Sequence, residues 1–205
     1  QALAKGLFAT LLPMIPLGLV ILPFTISFGR DMADGVTTRF VLFGYRMAKQ
    51  LVAKFVSVAI LVSLVTVVYC LVLYQVLPLP SMSMLSLANV FASTMILTAA
   101  LYLLSFAIAQ VFKGFNMIQG VAMVCYFGIA FLTGSMGTFQ LPRTLEKAIE
   151  WIPFAAIRET LKMHWGSNTV TDMQTEWFKL IVFLLITLFL FGLAEFYRRL
   201  KIHAV

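Results

Sequence analysis

Apolar residues run along this chain in long stretches divided by short polar segments, and five of the stretches are long enough to cross a bilayer. They cover residues 7–28, 51–77, 85–112, 117–136 and 177–195. A helix needs about 20 apolar residues to cross a hydrocarbon core of roughly 30 Å. Each stretch is predicted to be helical, because an unpaired backbone group in lipid costs several kcal/mol. The pattern therefore predicts an all-α fold, a polytopic membrane helix bundle forming one domain over residues 1–205. The first stretch holds Pro13, Pro16 and Pro23, each without a backbone donor. That helix is expected to kink or partly unwind, either as a packed bend or as the mobile wall of a transport path.

Two polar segments carry helical patterns of their own. Val36, Phe40, Phe43, Met47 and Leu51 recur at spacings of four, three, four and four, with Arg39 and Arg46 at the flanks. This predicts an amphipathic helix over residues 35–50, which rests at the membrane interface or docks on a soluble partner. Farther on, Leu145, Ile149 and Ile152 alternate with charged residues until Pro153 interrupts. Two short helices are predicted over residues 142–164, neither long enough to span, with Trp151 and Trp165 suited to an interface.

Composition supports the membrane reading. Only 11% of the residues are charged while 61% are hydrophobic, and a soluble domain carries about 25% charged residues. The net charge of +7 would suggest nucleic acid on a soluble face. Here the cations lie in short loops, where Lys and Arg set orientation, so nucleic acid is not an expected partner. Arg30, Arg39, Arg46, Lys49 and Lys54 outweigh Asp31 and Asp34 around the first loop, Lys113 stands alone in a tight turn, and Arg198, Arg199 and Lys201 close the chain. These segments are expected in the cytoplasm, which puts Gln1 outside and leads us to expect a sixth helix ahead of it in the full protein.

Candidate chemistry is sparse. Cys70 and Cys125 sit in apolar runs and read as small hydrophobes. His164 has no ligand-spaced neighbour and reads as a surface residue. Asp34, Gly35 and Arg39 match the opening of a metal signature of lipid-head-group transferases, which requires further aspartates on the next helix. The next acids are Glu146, Glu150 and Glu159, on the expected outer side, so no metal site is completed. Glu195 precedes Arg198 and Arg199 by three and four residues and reads as a helix-end ion pair. Asn89 and Gln119 are polar positions inside the spans, able to face a substrate path or to bond helix to helix. No paired carboxylates, Ser/His set or metal ligands converge, so no catalytic residues are assigned and an enzyme is not expected.

The order of these features resembles the membrane subunit of an ABC-2 type transporter. The match is carried by Arg30-Asp31, Gly35, Arg46 and Lys54 around the first loop, and by Gly134, Leu141-Pro142, Trp151-Ile152-Pro153 and Arg158 in the outer segment. Asp31 stands where that family usually has Glu, and Gly44 falls near a common proline. The resemblance covers nearly the whole chain, apart from the family's first helix. It implies a permease of six helices that dimerises with an identical or homologous chain and couples to two ABC ATPase subunits. On that reading Arg30, Asp31, Gly35, Arg39, Tyr45 and Arg46 form the coupling site, and Gly134, Pro142, Pro153 and Arg158 belong to a re-entrant outer segment. The chain has no G-x-x-x-x-G-K-[ST] loop, so ATP and Mg would bind the partner and this chain would hold no cofactor. Export of an amphiphilic or hydrophobic substrate (peptide, drug or lipid-linked) by alternating access follows from the resemblance, as does a multi-pass place in a bacterial cell membrane. A non-transporting assembly subunit of a membrane complex is the alternative class.

Overall fold

The computed structural model describes residues 3, 7–8, 11–77, 84–132, 140, 142–149 and 170–203. Its elements are helices. They are α1 (Met14–Ala33), α2 (Val36–Leu42), α3 (Met47–Val76), α4 (Met84–Val111), α5 (Phe115–Leu132), α6 (Arg143–Ile149) and α7 (Val170–His203). Among the described residues, α1, α3, α4 and α7 are each long and apolar enough to cross a membrane. The architecture is that of a multi-pass membrane protein.

The fourth apolar stretch of the sequence, 117–136, is helical as α5 over 18 residues, or about 27 Å, up to the edge of the described region. Of the two short outer helices expected over 142–164, α6 is present, and the second lies outside the described residues.

The centre of the bundle is α4. Its Leu97, Leu101 and Phe106 join Leu17, Val20, Ile21 and Phe28 of α1, Val58 and Val62 of α3, and Leu180 of α7 in one buried cluster. It packs most extensively along α7 and also touches α1, α3 and α5. Small side chains allow these approaches: Ser93, Thr94, Thr98, Ala100 and Ser105 of α4 are all buried. The hydroxyls do not stay orphaned. Ser93, Thr94, Thr98 and Ser105 each donate to the carbonyl four residues earlier, at 2.8–2.9 Å.

The proline-rich first span is helical from Met14 to Ala33, after a turn at residues 12–13, and a π-helical turn over Leu17–Ile21 interrupts its α-helical geometry. Pro23 cannot donate to the Leu19 carbonyl, and its ring crowds that oxygen. A wider turn just before Pro23 relieves the crowding. Ser105 of α4 leans on the loosened stretch, its Oγ 3.4 Å from the Val20 carbonyl. Lower down, α1 approaches α5 at Gly29, where an added Cβ would come within 3.0 Å of the Ile118 side chain.

Candidate functional site at the basic end of the bundle

Charged side chains gather where α1 ends, α3 begins, α4 turns into α5, and α7 closes. The loop from α1 to α3 is the most built part of this end. Its course is set by two glycines with positive φ. Asp34 caps α1, and Gly35 at φ 68° reverses the chain into α2. Gly44, at φ 87°, ends α2 in a Schellman motif: the Tyr45 N–H donates to the Phe40 carbonyl and the Gly44 N–H to the Val41 carbonyl, both at 3.0 Å. The apolar contact that accompanies such caps is present, with the Phe40 and Tyr45 rings edge to face at 6.1 Å.

This cap corrects the sequence expectation of one helix over 35–50. Helix α2 stops at Leu42, Arg46 is extended (φ −65°, ψ 141°), and Met47 opens α3, so residues 47–50 belong to the long span. The amphipathic stripe is cut between Phe43 and Met47. Phe43 and Leu42 are each 80% exposed, which leaves an apolar tip with Arg39 and Arg46 beside it.

The loop is fastened to the bundle at both of its ends. Lys54 Nζ of α3 donates to the Asp31 carboxylate of α1, closing the base of the loop with a half-buried ion pair. The same ammonium lies 4.9 Å from the centre of the Phe28 ring, a favourable place for a cation. Phe28 packs edge to face on Tyr102 and Phe106 of α4, and Tyr102 also meets Phe55 of α3. The Tyr102 hydroxyl donates to the Leu51 carbonyl at 2.8 Å. Gln50 Nε2 donates to the Tyr45 carbonyl at 3.3 Å. Displacing α2 would therefore pull on α1 and α3, and through the aromatic cluster on α4.

The residues singled out from the sequence divide into three groups. Arg30, Asp31, Gly35, Arg39, Tyr45 and Arg46 lie on the one loop and its two flanking helix ends. Arg30 is exposed, with its guanidinium carbon 5.5 Å from the centre of the Phe115 ring, while Arg39, Tyr45 and Arg46 are exposed on the loop itself. Asn89 and Gln119 are not brought together. Asn89 is near the start of α4 and Gln119 is just past the turn after its end, so roughly 30 Å of helix separates their levels. The Asn89 carbonyl accepts the Ser93 hydroxyl. Pro142 is exposed and precedes α6, its carbonyl accepting from Leu145 and Glu146 at 2.9 and 3.0 Å. Gly134, Pro153 and Arg158 lie outside the described residues.

Sequence reasoning passed over Phe28, Tyr102, Phe55 and Gln50, which carry the attachment of the loop. Their chemistry is ordinary and their spacing has no period, so only the fold reveals their meeting. The ion pair expected at Glu195 is present: Arg198 Nη2 is 2.8 Å and Arg199 Nε 3.3 Å from its Oε1. Gln110 of α4 adds a bond of 3.1 Å to Oε2, which ties the parallel ends of α4 and α7. Among the described residues no group of three or more His, Cys, Asp or Glu side chains is gathered to hold a metal. In comparisons with protein-family models, curated proteins and solved structures, nothing matches the chain.

Proposed function

We propose that this chain is the membrane-spanning permease of an ATP-driven ABC-2 type transporter, with the loop from α1 to α3 as its coupling element. The observation that carries the reading is the mounting of that loop. A short helix held between two left-handed glycines projects basic and apolar side chains, while the Asp31–Lys54 pair joins its two flanking spans. Such a part transmits a push from a soluble partner into the bundle. Arg39 and Arg46 are exposed, and among the described residues neither meets a carboxylate. They are suited to acidic groups on an ATPase surface.

Counting α5 as a span gives five crossings, with the basic ends of all of them on the cytoplasmic side. The proposed assembly holds two such permease chains and two ATPase subunits, and ATP and Mg bind the latter. The cargo is amphiphilic or hydrophobic, moved outward by alternating access.

The test is purification of the tagged full-length protein in mild detergent, with an assay for bound ATPase activity. We expect an ATPase to co-purify and to be lost in the double variant Arg39→Glu/Arg46→Glu, which remains inserted and folded. A folded preparation free of ATPase would oppose the permease reading and favour an assembly subunit. An ATPase that stays bound to the double variant would move the docking site elsewhere.

A further inference from the structure

We propose that the cleft between α2 and the first turns of α3 holds the headgroup of an anionic membrane phospholipid. This requires that the chain span a membrane and is independent of the permease reading. The cleft has a volume of about 420 Å³, and its lining includes Val36, Phe40, Tyr45, Lys49, Ala53 and Lys54.

Depth is the first argument. Helix α3 has 30 residues and is about 45 Å long, some 15 Å more than a hydrocarbon core. Residues 55–76 carry no charge and by themselves account for roughly 33 Å. The surplus falls on the turns that hold Lys49 and Lys54, which puts the cleft at the level of lipid headgroups. Its apolar wall then continues into the acyl region along the exposed face of α3, where Val56, Ile60 and Leu64 are 49–62% exposed.

Charge is the second argument. From Arg30 to Lys54 the chain has five cations and two acids. The one carboxylate that lines the cleft, Asp31, is already neutralised by Lys54. Lys49 is exposed at the rim and, among the described residues, has no acidic partner. A phosphodiester at headgroup depth supplies the missing anion, while a zwitterionic headgroup would bring its own cation toward Lys49. Arg39 and Arg46 do not line the cleft and remain available to a soluble partner.

The experiment is native mass spectrometry of the full-length protein from mixed micelles titrated with phosphatidylglycerol or phosphatidylcholine. Lys49→Gln removes the cation, Ala53→Phe fills the cleft at constant charge, and Lys147→Gln on α6 removes a cation elsewhere. We expect phosphatidylglycerol to be retained over phosphatidylcholine. The preference should fall about fivefold in Lys49→Gln, the effect of one cation near a lipid surface. It should fall in Ala53→Phe and persist in Lys147→Gln. Equal retention of the two lipids by the unaltered protein would overturn the proposal, as would a preference untouched by Lys49→Gln and Ala53→Phe. Loss of a co-purifying soluble protein from Lys49→Gln, with lipid retention unchanged, would give the cleft to that protein instead.

Discussion

Helices α3 and α4 are near-equals in length, and α3 is the more apolar, yet α4 is the one inside. In their most apolar windows, 61% of α4 is buried against 17% of α3. In water the ranking would be reversed, since burial follows hydrophobicity. In lipid the apolar side chain gains nothing by leaving the surface, so packing and hydrogen bonding decide the centre. The faces of α4 that meet other helices carry Ser93, Thr94, Thr98, Ala100 and Ser105, which admit a neighbour closely. The outer face of α3 carries Val, Ile and Leu, which fill lipid well and specify no partner. Hydropathy thus locates the spans, and small residues locate the core.

The sharpest way to break this contrast is to enlarge a small contact. Ala100 of α4 is fully buried, so Ala100→Leu must push a packed helix aside. We expect a loss of about 1–3 kcal/mol, read as a lowered unfolding midpoint in detergent. Tyr102→Phe keeps the shape but leaves the Leu51 carbonyl without its side-chain donor, for an expected loss of about 1 kcal/mol in the same measurement. Asp31→Ala opens the base of the loop. Its pair with Lys54 is a quarter to a third exposed, so the expected stability loss is below about 1 kcal/mol. Its larger effect would be faster protease cleavage within residues 34–46. At the other extreme, Ile60→Ala on the lipid face of α3 should change the midpoint by less than about 0.5 kcal/mol. A destabilisation of Ile60→Ala equal to that of Ala100→Leu would abolish the distinction between the two helices.

The same physics explains what could be read from the chain beforehand. Spans longer than 18 apolar residues announce themselves, and the C-terminal end of α1 and the start of α3 differ from the expected ones by five and four residues. Those ends are polar and still helical: α1 runs on to Ala33, and α3 starts at Met47. The prolines of α1 foretold a disturbance but not its form, because a π-turn and a kink answer the same missing donor. The break after Leu42 did have a signal in Gly44-Tyr45 with Phe40 five residues before Tyr45, which is the pattern of a Schellman cap. A repeat of five apolar positions hid it. The Asp31–Lys54 pair and the Tyr102 cluster join residues 23 to 78 positions apart along the chain, and no local period reports such meetings. Position in the bundle was the least legible property, since hydropathy ranks α3 above α4 and the buried one is α4.

On the proposed permease reading, the loop from α1 to α3 lies in the cytoplasm and is covered there by an ATPase. Its most direct test replaces Cys70 and Cys125 with Ala, installs one cysteine as Arg39→Cys, and labels intact cells with a membrane-impermeant maleimide. The result expected is no labelling until the membrane is opened, and then slower labelling when the ATPase is co-expressed than when it is absent. Labelling of intact cells from outside, or labelling after opening at a rate indifferent to the ATPase, would contradict it.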